Sequence, residues 1–175
     1  KNWYSCPNED TIPLIFSRAI CQRSNVNYDI SLREDYLKRI KFVGAACFLC
    51  LFALAILQDV SLRVFVVSGL APLLPVMRFI IAEIFANHAT ISNLQEIAEH
   101  ITDLWTAAME GKITPTSAEK TARSLQDRIF NNRKDVALIP DWLYQQLRPV
   151  NEEVMGLSAE QMASDFLVKR KVRLR

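Results

Sequence analysis

Two long stretches stand apart from the rest of this chain in the pattern of hydrophobic and polar positions. Residues 41–57 and 61–80 are almost purely apolar, and their few charges, Lys41, Arg63 and Arg78, lie at or near the ends. A helix that crosses the bilayer core needs about 20 apolar residues, with a range of about 17–25. The pattern therefore predicts two transmembrane helices joined as a hairpin. The competing interpretation is a helical hairpin buried in a soluble core.

The charges that flank the apolar runs predict an orientation in the membrane. The connection between the runs carries only Asp59 and Arg63. The segment just before the first run carries four cations: Arg33, Lys38, Arg39 and Lys41. Because basic residues are retained on the cytoplasmic side, we expect the N-terminal part and everything after the second run to lie in the cytoplasm.

Before the spans, helix signals predict a short helix and then a stalk. Thr11 can cap a helix that runs to about Ser24. Ser31 begins a capping box, from which a second helix can continue without a breaker into the membrane. Residues 1–40 are therefore expected to form a cytoplasmic helix and a membrane-proximal stalk, followed by the two spans within residues 41–86.

After the spans, the apolar spacing predicts a pair of amphipathic helices. Ser92 and Gln95 form a second capping box, and Gly111 is a C-cap signal. Another helix is expected to open at Thr116. The apolar stripes of the two helices match, so we expect them to pair as an antiparallel hairpin.

The last part of the chain predicts two more helices. Pro140 breaks the chain, Asp141 can cap a short helix, and a final helix covers about residues 151–168. No strand pattern competes with these helices. Residues 87–175 are therefore expected to be a cytoplasmic helical domain, and the fold class is all-α: a membrane protein with a two-helix transmembrane hairpin.

Composition narrows the class of protein further. Hydrophobic residues make up 50% of the 175 and charged residues 23%, while the net charge is only +2. This balance argues against a disordered chain, which has few apolar residues and a large net charge. It also argues against a protein that binds nucleic acid duplexes, which is strongly basic. Four glycines and four cysteines are too few for a Gly-rich nucleotide fold or a disulfide scaffold.

Catalytic and metal-binding patterns are nearly missing from the sequence. His88 and His100 are the only histidines, and they do not form the His-Glu-x-x-His pair of a zinc site. Cys47 and Cys50 have the spacing of a redox or metal site, but they lie in the first apolar run, where small apolar packing accounts for them. We therefore predict no catalytic residue, no metal and no cofactor, in a protein that is not an enzyme.

Three polar clusters are candidate ligand-binding surfaces. Arginine, asparagine and aromatic side chains together can hold a phosphate group and stack a base. The same side chains can instead tie helix ends together, and both interpretations stay open. The first cluster is Arg18, Gln22, Arg23 and Asn25; the second is Arg128, Asn131, Asn132 and Arg133; the third is Asp141, Trp142 and Tyr144.

Three polar side chains in or beside the spans are candidate pore or interface residues. They are Arg63, Ser68 and Arg78, because a polar group near lipid is most stable at a wet or paired site. For Arg78 the competing interpretation is a side chain that snorkels to the cytoplasmic surface. Pro72 and Pro75 are expected to kink or loosen the second span.

Several motifs resemble the SMODS-associated four-transmembrane effector family. The resemblance covers about residues 3–165 and includes Trp3-Tyr4-Ser5 at its start and Ala71-Pro72-Leu73-Leu74-Pro75 in the second span. Its most specific motifs are Ile20-Cys21-Gln22-Arg23-Ser24-Asn25 and Ile139-Pro140-Asp141-Trp142-Leu143-Tyr144.

The resemblance implies a pore-forming effector of bacterial anti-phage (CBASS-type) systems, located in the inner membrane. In these systems a nucleotidyltransferase makes a cyclic oligonucleotide, and the effector responds by permeabilising the membrane. The expected partners are thus membrane lipid, further copies of the same chain and, through its signal, a nucleotidyltransferase, with a cyclic oligonucleotide as the ligand. The family name implies four spans, and the two not seen here would precede Lys1. A non-conducting scaffold or sensor subunit and a membrane-bound hydrolase are the alternatives.

Overall fold

The computed structural model describes residues 12–134, 136 and 138–173, with side chains as far as residue 168. Every secondary-structure element in these residues is helical, so the predicted all-α class is confirmed. The expected cap at Thr11 and the motif at Trp3 lie outside the described residues.

The first helix, α1, is uninterrupted over Leu14–Leu57 and has 44 residues. At 1.5 Å per residue it is about 66 Å long, roughly twice the thickness of a bilayer core. The predicted break before a stalk helix at Ser31 is wrong. No proline or glycine interrupts this region, Val26 is fully buried, and the Ser31 hydroxyl donates to Asn151 Oδ1 at 3.2 Å instead of capping a helix.

The second leg of the hairpin is helical but irregular. Its segments, in order, are α2 (Leu62–Val64), a π-helical segment (Phe65–Leu70), a 3-10 turn (Ala71–Leu73) and α3 (Leu74–Glu110). Pro72 and Pro75 lack the amide hydrogen that a regular α-helix requires at their positions, so the hydrogen-bond spacing changes around them. The prediction that the prolines loosen the second span is confirmed.

The long helix α3 continues from the hairpin to the far end of the molecule. The helix start predicted at Ser92 is wrong, because no proline or glycine follows Pro75 within α3 and the helix simply continues through the capping box. It ends at Gly111, which has a left-handed φ of 71° and donates its N–H to earlier carbonyls of the last turn. The C-cap predicted there is confirmed.

The helix α4, Pro115–Lys134, begins slightly before the predicted position. Its cap is Thr114, whose Oγ1 accepts a hydrogen bond from the Ser117 backbone N–H at 3.3 Å, rather than Thr116. Pro115 then occupies the first helical position, where its missing N–H costs nothing.

The last helix, α5, runs unbroken over Asp141–Arg173, where two helices were predicted. Pro149 lies inside it and removes one backbone donor. Leu143 and Asn151, on either side of the proline, are both buried against the rest of the molecule. This packing outweighs the local cost of the proline, so the prediction of separate helices is wrong.

Outside the hairpin, α1, α3, α4 and α5 pack into a four-helix arrangement that we call the bundle. The stripes of α3 and α4 meet in a core that includes Leu94 and Leu125, which confirms their antiparallel pairing. At the end far from the hairpin, the Phe16 ring of α1 lies 5.2 Å from Trp105 of α3 and 4.5 Å from Phe166 of α5. We call the opposite end, where α1 and α3 enter the hairpin, the membrane end.

Candidate membrane hairpin and ligand grooves

The two legs of the hairpin expose their apolar side chains. The most apolar window of α1 has 0% of its residues buried within the chain, and that of the second leg has 6%. Phe42 on the first leg is 74% exposed, and Phe79 on the second is 61% exposed. The core helix of a soluble protein is mostly buried, so a hairpin enclosed in a soluble core does not fit this structure. By length and composition both legs can cross a membrane.

The legs contact each other through a narrow set of side chains. The Phe52 ring of α1 lies 6.0 Å from the Phe65 ring, which is one of the few buried residues of the hairpin. Near the membrane end, a Cβ placed on Gly44 would lie 3.5 Å from Ile80 Cδ1, so the two helices approach closely there. The remaining surface of both legs is open to lipid or to other protein chains.

The three candidate pore or interface residues all lie on the exposed surface of the second leg. Arg63 is in the single turn α2, and Arg78 is in the first turns of α3. Ser68 lies inside the π-helical segment. Departures of this kind from the α-helix are frequent at functional sites, because they present backbone and side chains in directions that a regular helix cannot.

A chain of buried polar groups joins the two legs just below the hairpin. Arg33 of α1 donates from Nε to Asp29 Oδ1 at 2.9 Å and from Nη1 to Asn87 Oδ1 of α3 at 2.8 Å. Asn87 in turn donates from Nδ2 to the Glu83 backbone carbonyl at 2.9 Å and lies 3.2 Å from Glu83 Oε2. We call these four residues the polar junction.

The polar junction is shielded from water and reaches a third helix. Arg33 is 6% exposed and Asn87 0% exposed. Arg133 of α4 places its Nε 3.9 Å from Asp29 Oδ2, so the end of α4 adds a second cation. A buried charge network of this kind is stable only while its members are all present, because each removed partner leaves an uncompensated group.

Two cations at the base of the first leg point back toward the bundle. Lys41 Nζ lies 3.3 Å from His88 Nε2 of α3. Arg39 Nη1 donates to Gln146 Oε1 of α5 at 3.0 Å. Long basic side chains at the ends of spans commonly turn their charged groups away from the hydrocarbon, which is the geometry seen here.

A groove of the bundle lies between α1 and α4 and has a volume of about 920 Å³. Three members of the first predicted cluster line it: Arg18, Gln22 and Asn25. Lys120 and Arg123 of α4 line its opposite wall. We call this space the α1–α4 groove. It brings three cations, three amide side chains and two carboxylates around one cavity, and the cations can hold a phosphorylated ligand. The third amide is Gln126, and the carboxylates are Glu119 and Asp127.

Some polar groups of the α1–α4 groove already have partners. Arg18 Nη1 lies 3.3 Å from Glu119 Oε1, in an exposed ion pair that solvent weakens. Gln22 donates from Nε2 to the Ala122 carbonyl at 2.9 Å, while its Oε1 is buried and makes no hydrogen bond among the described residues. Arg23 does not face this groove, because its Nη1 lies 3.2 Å from Met162 Sδ of α5. The first cluster is therefore divided between two faces of α1.

The second cluster faces a different groove, of about 540 Å³, between α3 and α4. Arg128 and Asn132 line it, with Asn131 beside them, whereas Arg133 turns toward the polar junction. Arg128 Nη2 lies 2.8 Å from Glu96 Oε1. This hydrogen bond, with a smaller contribution from His100, lowers the pKa of Glu96 from its ordinary value.

The third cluster begins α5 at the membrane end and is not a single site. The Tyr144 ring packs 5.9 Å from the ring of Tyr28 on α1. Burial raises the pKa of the Tyr28 phenol above its ordinary value, and a hydrogen bond with Tyr144 raises it further. Trp142, by contrast, is 61% exposed, and Asp141 is exposed in the first turn. The three predicted clusters thus lie on separate surfaces of the bundle.

Sequence reasoning missed residues of the α1–α4 groove and of the polar junction that come from distant segments of the chain. Lys120 and Arg123 were not proposed for the groove, although they lie at i and i+3 on the polar face of α4. Asn87 was not singled out either. The sequence did offer a signal for Asn87. This amide is in line with the apolar stripe of α3, which continues through Ile91 and Leu94 and faces the inside of the bundle.

Comparison with known proteins identifies one family. The model of the SMODS-associating 4TM effector domain matches residues 1–162 of the 175. No curated protein and no solved structure matches the chain. The family match includes the hairpin and all of the bundle except the end of α5, and together with the two apolar helices it indicates a membrane protein.

Proposed function

Because this chain belongs to the SMODS-associating 4TM effector family, we propose that it is the membrane-permeabilising effector of a CBASS-type anti-phage system. In this proposal it resides in the bacterial inner membrane with the bundle in the cytoplasm. A cyclic oligonucleotide made by an associated nucleotidyltransferase triggers its assembly into a pore or lesion.

The exposed apolar hairpin is the observation that carries the proposal. Its two legs contact each other at Phe52 and Phe65 and at the Gly44–Ile80 approach, and most of their surface is unburied. Neither the two helices seen here nor the four that the family name implies can enclose a wide aqueous path within one chain. Several copies must therefore associate through these surfaces, with the irregular second leg available to place Ser68 against water.

The α1–α4 groove is the site that we assign to the cyclic oligonucleotide. Its cations, Arg18, Lys120 and Arg123, suit phosphate groups, and the amides of Asn25 and Gln126 suit base edges. The exposed ion pair between Arg18 and Glu119 costs little to exchange for a phosphate contact.

A ligand in this groove acts on α1, the helix that also forms the first leg of the hairpin. α1 is continuous from the groove to the membrane, and the polar junction ties it to α3 through Arg33 and Asn87. A ligand that binds better when several copies are assembled shifts the population toward the assembly. The mechanism that we propose needs no catalytic residue and no metal.

The proposal can be tested in cells that express the full protein with its nucleotidyltransferase. We expect loss of membrane potential, followed by growth arrest, when the nucleotidyltransferase is active, and neither effect with a catalytically dead nucleotidyltransferase. Normal membrane potential while the effector is expressed and the nucleotide accumulates would contradict permeabilisation and favour the non-conducting scaffold or sensor. The membrane-bound hydrolase would instead lose toxicity when His88 or His100 is changed to alanine at normal expression.

A further inference from the structure

An exposed apolar patch at the membrane end belongs neither to the hairpin nor to the grooves. Leu138, in the connection between α4 and α5, is 92% exposed, and Trp142, in the first turn of α5, is 61% exposed. Phe85 of α3, beyond the predicted end of the second span, is 71% exposed. Large apolar side chains rarely gather on a water-facing surface without a partner. We call these three residues the collar patch.

The contacts of α5 place Trp142 at the level where α1 enters the membrane. α5 runs antiparallel to α1, since Phe166 meets Phe16 at the far end and Gln146 meets Arg39 at the membrane end. Trp142 lies one helical turn beyond Gln146 on the same face, which is about 6 Å nearer to the membrane. Arg39 itself is only three residues before the fully apolar stretch of the first leg.

Val136 and Leu138, in the connection between α4 and α5, lie near the membrane end of α3. Val136 lines the groove between α3 and α4 together with Ala86 and Ala89. Leu138 follows two residues later and is at most about 7 Å from Val136, so it lies near the same end of α3. Exposed apolar side chains thus occur along α3 from the second span up to the collar patch, at Phe79, Ile81 and Phe85.

We infer that the collar patch is an interfacial membrane anchor, seated at the boundary between lipid headgroups and acyl chains. Tryptophan prefers this depth, because its ring is apolar and its N–H can bond to headgroups or water. Trp142 lies at the level where the apolar stretch of the first leg begins, so a bilayer that receives the hairpin also reaches the collar patch.

The contact that we infer is apolar rather than electrostatic. In residues 133–142 the two cations Arg133 and Lys134 are balanced by the two acids Asp135 and Asp141. Such a balanced segment gains little from anionic headgroups, whose attraction for basic segments is about 1 kcal/mol per Lys or Arg. Anchoring by the collar patch is therefore expected to persist at high salt and in uncharged bilayers.

Tryptophan fluorescence in vesicles tests this inference on the full-length chain. The protein is reconstituted in phosphatidylcholine vesicles in which part of the lipid carries bromine near the top of its acyl chains, a contact quencher. The difference between the emission of the native chain and that of Trp142→Phe is the emission of Trp142. We expect brominated lipid to quench this emission strongly, and added iodide or salt to affect it little. Trp142→Phe keeps an aromatic ring at an exposed position, so folding is not at issue.

Trp105→Phe is the matched control, because Trp105 packs against Phe16 and Phe166 at the far end of the bundle. The emission lost on this change is expected to be insensitive to brominated lipid. Trp142 emission that is quenched by iodide and not by brominated lipid would overturn the inference and assign the patch to water or to a protein partner. Quenching by brominated lipid only when anionic lipid is added, and lost at high salt, would also overturn it.

Discussion

Arg33 of α1 donates a hydrogen bond to Asn87 of α3 at 2.8 Å, and this contact joins the two helices just below the hairpin. Both side chains are buried, and Asp29 and Glu83 complete the network. The network therefore connects α1 and α3 directly through hydrogen-bonded side chains. The junction thus joins α1 and α3 at the point where the bundle meets the hairpin.

Replacing Asn87 with leucine tests the strength of this junction. Leucine keeps the volume but leaves Arg33 with an unmet donor in a buried site, so we expect the free energy of unfolding to fall by about 2–3 kcal/mol. The measurement is chemical unfolding of the full chain in detergent micelles. The control is Gln146→Ala, which removes an exposed partner of Arg39 and should cost at most about 1 kcal/mol. Equal effects of the two changes would show that the junction is not a special contact.

Alanine substitutions in the α1–α4 groove test whether the cyclic oligonucleotide binds there. Arg18→Ala and Lys120→Ala each remove a charged donor, so we expect about 10- to 100-fold more cyclic oligonucleotide to be needed for membrane leakage. Arg23→Ala is the matched control, because Arg23 lies on the same helix but faces Met162. If Arg128→Ala has the large effect and Arg18→Ala none, the ligand occupies the α3–α4 groove instead.

The irregular backbone of the second leg gives a further prediction. Alanine at both Pro72 and Pro75 restores two amide donors and favours a regular α-helix, at about 3 kcal/mol per proline. We expect the leakage rate to fall, and a bias of only ~1.4 kcal/mol against the conducting arrangement would lower it about tenfold. Pro149→Ala, in α5 outside the hairpin, should leave leakage unchanged. Leakage that is unaffected by the double change would mean that the π-helical and 3-10 segments have no part in conduction.

The buried phenol of Tyr28 predicts a loss of stability in alkali. Burial raises the pKa of Tyr28, so the folded chain holds this proton more tightly than the unfolded chain does. The resulting stabilisation is complete below the ordinary pKa of about 10 and is lost as the pH rises above it, by up to about 1.4 kcal/mol per pH unit. Unfolding measured between pH 8 and pH 11 should show this decline in the native chain and a weaker one in Tyr28→Phe. The same decline in both proteins would show that titration of other groups causes the loss of stability.

The proposed orientation can be tested with an inserted alkaline phosphatase, which is active only where its disulfides form, in the periplasm. We expect activity when the enzyme is inserted after Asp59, in the connection between the legs. The control insertion after Lys112, in the connection between α3 and α4, should be inactive. The opposite result would place the bundle outside the cytoplasm and away from any cytoplasmic nucleotide.

The sequence predicts the hairpin well because its signals are local and strong. Uninterrupted apolar runs indicate spans regardless of the contacts made by the rest of the chain. Gly111 ends a helix because its position needs a left-handed backbone conformation, which glycine adopts without strain. The capping boxes at Ser31 and Ser92 failed as helix starts for a related reason. A cap stabilises an end but does not create one, so without a proline or glycine nearby the helix continues through it.

The candidate sites were less predictable, because their residues meet only in three dimensions. Arg33 was read as one of the cations that set the orientation, yet it is buried against Asn87, 54 positions later. Gln22 and Asn25 were expected beside Arg23, but the turn of the helix sends Arg23 to α5. A spacing along one helix predicts which side chains share a face and not which helix covers that face.

Permeability of vesicles that contain the purified full-length protein tests the central claim most directly. The vesicles enclose a small fluorescent dye at a self-quenching concentration, and the cyclic oligonucleotide made by the associated nucleotidyltransferase is added outside vesicles whose bundle faces outward. The account predicts rapid dye release that depends on the nucleotide and rises more than linearly with the number of protein copies per vesicle. Release no greater than that of protein-free vesicles, with the nucleotide shown to be bound, would contradict it.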